Sequence, residues 1–517
     1  MYHWYEQISF LLLWISLIFF LHLTLWQILK HRIPCYAYPL SYPLALLFLG
    51  LISWWLVMLH LPAWGAVLPF LMAAGYSAGK GDHLFPEVRA SLKWDLLFFS
   101  FFLAMLLVRV RNPAIIGNER FLDMGVIASI MRNPIVPPLD PQFAGGSLDI
   151  YYYFSHWIYA TLGLSLQVPP AVVYTLVLPT TVGLSAVALY AIGELLLPRF
   201  HALLLLLLVI PRPSLLLVLA AGRYQDFTDA LEQSVQVIPG VGSNYPWYDL
   251  LWGIPHPHLN ALAFQLLFLF LSILLLCRWD ALGIGGRRWV MVLTGISAGS
   301  LLSINSWDAL VCIPVLIAMG AYLAVTLHAS IRAGDPPLHR HPDGISLLLL
   351  ACSAILVAGP FLLQMSTGSL SGIALVNTPS DPVSFLLAHG WYLLVFFVYV
   401  IPDALKRPYL LIPALIPGLL GYWSVSLMAV PILLLVCRQN RTLIDWTAIY
   451  GLCILSMTEI LYLVEETNPG SRYNTVFKLS LAAWPVLWIA ATGMLVTLAD
   501  RAGFLQEALY VGLLFKD

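Results

Sequence analysis

Residues 8–29 read ISFLLLWISLIFFLHLTLWQIL, an apolar run long enough to cross a lipid bilayer as one helix. Neither a basic segment nor a small-residue cleavage site accompanies it, as both would in a secretory signal peptide. We therefore expect a retained first transmembrane helix. The whole 517-residue chain has the same character, with 60% hydrophobic and 10% charged residues and a mean hydropathy of +0.86. This composition excludes an ordinary soluble domain, in which about a quarter of the residues are charged.

Apolar runs recur along the chain and predict an all-α polytopic membrane protein. The runs are continuous rather than alternating, which argues against a membrane β-barrel. By their length they predict about 15 crossings. The predicted spans lie near 8–29, 42–61, 63–79, 95–109, 171–197, 201–221, 259–277, 289–303, 309–328, 345–365, 384–402, 409–421, 423–437, 443–464 and 478–499.

The 25 Lys and Arg residues are unevenly distributed between the predicted loops. Most lie on the side that holds Lys30 and Arg32, which the positive-inside rule makes cytoplasmic. The polar loops 111–157 and 222–258 then face away from the cytoplasm, and segment 151–168 must be re-entrant or interfacial. The net charge of −1 gives no basic field that would attract a nucleic acid. The basic residues outside the pattern are Arg109, Arg111, Arg120, Arg132, Arg212, Arg223, Arg472 and Lys478.

The most prominent polar interruption runs from Asp123 to Tyr153, a Pro/Gly-rich loop that ends in three tyrosines. Membrane proteins keep irregular polar segments at membrane depth mainly where those segments work. Just before it, Asn118 predicts a helix N-cap, and Glu119 and Asp123 lie one turn apart on one helix face. Two such carboxylates can serve as a general base or hold a divalent cation. The alternative is an amphipathic helix with a solvated acidic edge and an Arg120–Asp123 pair.

Other polar groups stand at the ends of apolar runs. His256 and His258 flank a proline and can bind a metal ion or a phosphate, although histidines at a helix start often only cap it. Asp308 follows Asn305-Ser306-Trp307 and either faces a polar cavity or caps a helix. Arg472 and Lys478 can clamp a phosphate or pair with nearby glutamates.

The three tyrosines, Tyr151 to Tyr153, are consecutive and cannot all lie on one helix face. They form either an aromatic belt at the membrane interface or a surface that stacks against a sugar or a lipid headgroup.

Several of these motifs together resemble a known family. Pro137-Pro138-Leu139-Asp140-Pro141, Phe143-Ala144-Gly145-Gly146, Tyr151-Tyr152-Tyr153-Phe154 and His156 look like the signature of the YYY membrane proteins. That family is catalogued as a domain of unknown function and is placed with the GT-C glycosyltransferases. Further matches between residues 40 and 500 are Glu119 with Asp123, Val237-Ile238-Pro239-Gly240, His256-Pro257-His258, Asn305-Ser306-Trp307-Asp308, Gly359-Pro360-Phe361, His389-Gly390, Thr458-Glu459-Ile460 and Asn474-Thr475-Val476-Phe477-Lys478.

The resemblance implies a GT-C-like helical bundle of about 13–15 transmembrane helices with a large first outer loop. It implies N-terminal transmembrane helices at residues 1–93, a GT-C-like membrane core at 94–500 with outer loop 111–157, and a short cytoplasmic tail at 501–517. Such proteins usually carry an acidic catalytic residue on the first outer loop and use polyprenyl-phosphate sugars as donors. The implied location is the cell membrane, with the active face away from the cytoplasm.

We therefore expect an inverting glycosyltransferase that moves a sugar from a polyprenyl-phosphate donor to a glycan, lipid or protein acceptor. The expected catalytic residues are Asp123 and Glu119. A divalent metal ion, if one is used, would be held by Asp123, His256 and His258. The expected substrate-binding residues are Tyr152, Tyr153, His156, His256, His258, Asp308, Arg472, Asn474 and Lys478.

The chain departs from the family pattern in the loop before His256. Asn244-Tyr245-Pro246 stands where the pattern has Glu-Phe-Pro, Ile254 replaces an Asp, and Gln236 replaces an Arg. The loss of two carboxylates and one cation weakens any metal or phosphate site in that loop. The alternative function is therefore a non-catalytic membrane subunit or a protein that binds lipid-linked glycans.

Overall fold

The computed structural model describes residues 3–81, 88–115, 119–149, 151–333, 344–366, 370–465 and 470–503. These residues are almost entirely helical, which confirms the all-α polytopic fold class. The helices of the first half are α1 (Trp4–Leu29), α2 (Ala37–Met58), α3 (Leu68–Gly79), α4 (Val88–Arg111), α5 (Arg120–Arg132), α6 (Phe154–Leu166), α7 (Pro170–Leu196), α8 (Pro213–Ala221), α9 (Phe227–Val235) and α10 (Pro246–Trp252).

The second half continues with helices and one pair of short strands. The strands, β1 (Leu370–Leu375) and β2 (Leu461–Glu465), pair antiparallel. Short 3₁₀ helices occupy Ala63–Val67, His201–Leu208 and Pro408–Leu410. The remaining helices are α11 (Pro257–Cys277), α12 (Ile284–Ile304), α13 (Ser306–Ala333), α14 (Gly344–Gln364), α15 (Pro382–Lys406), α16 (Leu411–Leu419), α17 (Trp423–Val436), α18 (Leu443–Ile460) and α19 (Tyr473–Arg501).

Ten helices among the described residues are long and apolar enough to cross a membrane, or eleven if one bent pair counts as a span. This is fewer than the 13–15 expected, because five predicted spans do not form a long apolar helix. Each of them is too short, is bent, or is too polar. Segment 63–79 is a 3₁₀ turn followed by the 12-residue α3. Segments 409–421 and 423–437 form the short helices α16 and α17. Segment 289–303 lies in α12, which is long enough but begins with glycines and arginines.

The fifth difference is the segment that contains Arg212. It is a 3₁₀ helix and α8, bent by 52° relative to each other. Pro211 and Pro213 flank Arg212 and cannot donate backbone hydrogen bonds, so a straight helix cannot continue there. Arg212 is buried and donates to the carbonyls of Ser243 and Ser234, each at 2.6 Å. This arginine therefore has a structural role at the break.

The described chain divides into two compact units. The first comprises Met1–Leu195 with Leu250–Thr367, and the second comprises Leu196–Asp249 with Gly368–Asp517. The sequence-based division at residues 93 and 500 concerns membrane organisation, and it stays a prediction. Most of the predicted tail, residues 501–517, lies outside the described residues.

A short buried helix, α6, lies in the core of the first unit. Its 13 residues are too few to cross a bilayer, as expected for segment 151–168, but most of it is buried inside protein. Trp157 donates from its indole to Ser53 Oγ on α2 at 2.7 Å, and the Tyr159 hydroxyl lies 2.7 Å from Thr181 Oγ1 on α7. These bonds hold the helix that follows the three tyrosines.

Helices α12 and α14 pack closely through a Gly-x-x-x-Gly pair in the first unit. A methyl group added at Gly295 would lie 2.1 Å from Ser353 Oγ, and one added at Gly299 would lie 2.3 Å from the Ala354 carbonyl oxygen. Small residues at this spacing let two helix backbones approach each other in a membrane.

We expect Gly299→Ala to destabilise the protein by about 1–3 kcal/mol, because the added methyl group forces α12 away from α14. Gly359→Ala on α14 is the matched control, since its added methyl group meets no other described part of the protein within 4 Å. Thermal unfolding of both variants in detergent measures the effect. Equal melting temperatures for the two would contradict this packing.

Candidate functional site

Helix α5 carries both candidate carboxylates. It begins at Arg120, with Glu119 at the cap position, and the predicted cap Asn118 lies outside the described residues. Glu119 Oε2 lies 2.8 Å from Nε2 of His256, and Asp123 Oδ1 lies 3.1 Å from Nδ1 of the same ring. The two carboxylates therefore bracket one imidazole, as expected for residues one helical turn apart.

His256 is placed by the start of α11. It occupies the N-cap position with extended backbone (φ −72°, ψ 150°), the conformation favoured before Pro257. Its side chain is 3% exposed, between the fully buried Asp123 and Glu119, which is 58% exposed. The imidazole thus connects a buried carboxylate to one that reaches solvent.

The electrostatics of this cluster favour a carboxylate–imidazolium pair. Burial by itself would lower the pKa of His256, but the charge of Asp123 and the hydrogen bonds to Asp123 and Glu119 raise it to about 10. Burial would likewise raise the pKa of Asp123, but His256 and His156 hold it well below its ordinary value. Asp123 is therefore ionised and His256 is protonated at neutral pH.

Two further side chains complete the cluster. His156, on the buried helix α6, places Nε2 3.2 Å from Asp123 Oδ1. The Tyr151 hydroxyl lies 3.4 Å from His256 Nε2, and its ring stacks on Tyr152 with centroids 4.7 Å apart. Burial raises the pKa of Tyr151 well above its ordinary value, so its hydroxyl stays neutral.

The second oxygen of Asp123 is the unusual feature of the cluster. Oδ2 is buried and has no hydrogen-bond partner among the described residues. A buried carboxylate oxygen without a partner is costly, and such groups in folded proteins call for an explanation. A reacting group of a substrate is one explanation that the arrangement permits.

The described residues around His256 show no arrangement typical of a metal centre. Among the described residues, no group of three or more His, Cys, Asp or Glu side chains could hold a metal ion. His256 directs both ring nitrogens at carboxylates, so neither offers a lone pair to a cation. The expected set of Asp123, His256 and His258 therefore does not fit a metal ion in this arrangement.

The other predicted residues of the first unit have varied surroundings. The ring of His258 lies 4.8 Å from that of His256. Tyr153 is buried, and its hydroxyl accepts a hydrogen bond from the Trp54 indole at 3.2 Å. Asp308 is buried in the first turn of α13 and accepts a hydrogen bond from the Asn305 side chain. Tyr153 and Asp308 thus have intramolecular partners, whereas His258 is next to the cluster.

Arg472, Asn474 and Lys478 belong to the second unit. Arg472 forms an ion pair with the buried Glu459 at 2.9 Å. Pairing with a nearby glutamate was the alternative to a phosphate clamp. Asn474 donates to both carboxylate oxygens of Glu465, at 2.9 and 2.8 Å. Lys478 is half-buried.

Comparison with known families identifies the chain at the level of its family. A family model described as "Uncharacterized membrane protein (DUF2298)" matches residues 43–488. The chain belongs to this family. The match covers the α5 carboxylates, the three tyrosines and the His-Pro-His motif. No curated protein and no solved structure matches the chain. The chemistry of the site must therefore be argued from its own geometry.

Two buried arginines near the cluster were not among the expected site residues. Arg109, at the end of α4, is fully buried, and its guanidinium lies 5.3 Å from the ring of Tyr174 on α7. Arg120 donates to the carbonyls of Ala114 and Trp252, each at 2.8 Å, rather than to Asp123. The charge pattern of the sequence could have identified them, because both arginines fall on the side of the predicted topology that has few Lys and Arg residues.

Proposed function

We propose that this protein is an integral membrane glycosyltransferase of the GT-C type. It transfers a sugar from a polyprenyl-phosphate-linked donor to an acceptor on the non-cytoplasmic face of the cell membrane. The observation that supports this proposal best is Asp123, an ionised and buried carboxylate. One of its oxygens lies within 3.2 Å of nitrogens of two histidines, and the other has no hydrogen-bond partner among the described residues.

Asp123 acts as the general base in this proposal. The acceptor hydroxyl donates its proton toward Oδ2 while its oxygen attacks the anomeric carbon, and the bond from that carbon to the phosphate oxygen breaks. The phosphate leaves with the electron pair, and the anomeric configuration is inverted. A low pKa makes Asp123 a weak base at rest. The acceptor hydroxyl becomes strongly acidic as its oxygen bonds to carbon, so an ionised carboxylate suffices.

Glu119 serves the same step from the solvent side. Because the protonated His256 donates one N–H to Asp123 and the other to Glu119, Glu119 holds the imidazolium in place, and the charge of that ring keeps Asp123 ionised to accept the proton of the acceptor. His156 fixes the orientation of Asp123. No step requires a metal ion.

The remaining proposed contacts concern the substrate. Tyr152, stacked on Tyr151, offers an aromatic face of the kind that packs against sugar rings. Tyr153, His258 and Asp308 are proposed to shape the pocket around the sugar. The expectation that Arg472, Asn474 and Lys478, in the second unit, bind substrate stays a prediction from sequence.

Transfer by purified protein tests this function. The protein in detergent is incubated with a polyprenyl-phosphate donor that carries a labelled sugar and with a lipid and glycan acceptor mixture. Label that moves to an acceptor supports a glycosyltransferase. A protein that binds the donor but transfers no label with any acceptor is instead a lipid-linked glycan binder. The residues Asn244, Ile254 and Gln236, which depart from the family pattern, favour that second candidate.

The proposed orientation predicts that loops 111–157 and 222–258 are accessible from outside the cell. Ser147 and Thr228 are exposed, so single cysteines there in a cysteine-free background are suitable sites for labelling. We expect an impermeant maleimide to label both in intact cells. Labelling only after permeabilisation would place Asp123 on the cytoplasmic side and contradict the proposed active face.

A further inference from the structure

The first unit contains two buried arginines that lack a carboxylate partner. Arg109 donates from Nη1 to the Asn112 carbonyl at 2.8 Å, while its Nε and Nη2 have no partner among the described residues. Arg120 uses both terminal nitrogens on carbonyls, and its buried Nε also has no partner there. A buried guanidinium that is not paired with an anion costs several kcal/mol of desolvation.

Neighbouring groups do not supply the missing negative charge. The two carboxylates of the cluster, Asp123 and Glu119, both contact His256. Tyr174, whose ring lies under the Arg109 guanidinium, has a buried hydroxyl with no hydrogen-bond partner in the described part of the chain. Unpartnered donors of Arg109 and Arg120 and one hydroxyl are thus gathered in a region with excess positive charge.

A cavity of about 400 Å³ lies at the C-terminal end of α4, the helix that carries Arg109. Its polar lining is Arg111 and Asn112, and its apolar lining is Leu107, Val108 and Leu251.

Asn112 connects this lining to both buried cations. Its carbonyl accepts from Arg109, and its side chain donates at 3.3 Å to the Trp252 carbonyl that Arg120 also binds. The next residue, Gly253, has φ +68°, and a methyl group there would lie 3.0 Å from Arg109 Cδ. Glycine at this turn lets the backbone approach the guanidinium.

We propose that Arg109, Arg111 and Arg120 form a binding site for a phosphate group, entered through this cavity. Arginine donors match phosphate oxygens in geometry and charge. The leucines and the valine that line the cavity suit an apolar chain attached to the phosphate. A free phosphate would contact the arginines alone. The site rests on the proposed function in one respect, that the phosphate released in sugar transfer would bind there. Phosphate binding to the site can be measured without any sugar transfer.

Binding of dodecyl phosphate to the purified protein in a neutral detergent tests the site. We expect dodecyl phosphate to raise the melting temperature of the wild type, and Arg109→Gln to weaken its affinity at least tenfold. Lys93→Gln removes an exposed cation from the same helix and should leave the affinity unchanged. Inorganic phosphate is the second probe. Equal affinity for both probes identifies a free-phosphate site, and preference for dodecyl phosphate identifies the phosphate end of a lipid.

Stability without ligand separates a binding role from a structural one. Arg109→Gln should leave the melting temperature of the ligand-free protein unchanged or higher, because it removes an unpaired buried charge. Arg212→Gln, which removes a guanidinium with four hydrogen bonds, should lower it. If Arg109→Gln does not accumulate, exposed Arg111→Gln replaces it, with an expected loss of affinity of at least threefold.

The proposal is overturned if dodecyl phosphate binds the arginine variant as tightly as the wild type or if neither probe binds. It is also overturned if Arg109→Gln accumulates but its ligand-free melting temperature falls as far as that of Arg212→Gln. An inactive wild type that binds dodecyl phosphate through Arg109 would refute the proposed transfer and leave this site standing.

Discussion

Asp123→Asn is expected to slow sugar transfer by about 100-fold or more, because it keeps the shape of the side chain and removes the proton acceptor. The amide can still contact His156 and His256, so the variant should fold. The rate is measured under single-turnover conditions with saturating donor, so that binding and product release do not mask the chemical step.

A matched variant separates catalysis from stability. Asp445→Asn also removes a buried carboxylate, but that group accepts the backbone N–H of Thr442, the N-cap residue of α18, and pairs with Arg438 at 2.8 Å. We expect it to lower the melting temperature and to leave the transfer rate of the folded protein near normal. An Asp123→Asn variant that transfers sugar at close to the wild-type rate would show that Asp123 has only a structural role.

His256→Gln is expected to cost about 3–5 kcal/mol of stability, because it leaves Asp123 buried without its main cationic partner. His31→Gln is the control, since His31 is an exposed histidine. Thermal or denaturant unfolding in detergent measures both variants. A loss below about 1 kcal/mol would mean that the pair contributes no more than an exposed salt bridge.

The same variant should change the dependence of stability on pH. The pKa of His256 is raised to about 10, so its contribution is fully present below its ordinary value and is lost as the pH rises through 10. The lowered pKa of Asp123 acts in the opposite sense, and its contribution is lost only in acid. The wild type should therefore lose stability between about pH 6.5 and 10, a loss that His256→Gln lacks. Parallel melting curves over that range would contradict the protonated imidazole.

The long helices could be predicted from sequence because membrane insertion depends on local apolar length. Segments 8–29 and 171–197 became α1 and α7 with small changes in their ends. The breaks were harder to predict, since they depend on backbone effects within apolar runs. Pro211 and Pro213 divide one such run, and α12 has the length of a membrane span but begins with glycines and arginines.

The candidate site could be predicted in part for similar reasons. Two features of the site are local in the sequence, the spacing of Glu119 and Asp123 and the effect of Pro257 on the backbone of His256. These features predicted side chains that do meet in the structure. The contact between α5 and α11 joins residues 133 positions apart, which no local pattern reveals. In the sequence, Arg109 is only an exception to the charge pattern, because its burial against Tyr174 depends on the fold.

A structure with a non-hydrolysable polyprenyl-phosphonate sugar tests the central claim most directly, because it locates the sugar relative to Asp123 Oδ2. The account predicts that the anomeric carbon lies beside that oxygen, with room for one acceptor hydroxyl within hydrogen-bonding distance of it. A sugar bound elsewhere, with Oδ2 still buried and unoccupied, would contradict the assignment of Asp123 as the catalytic base.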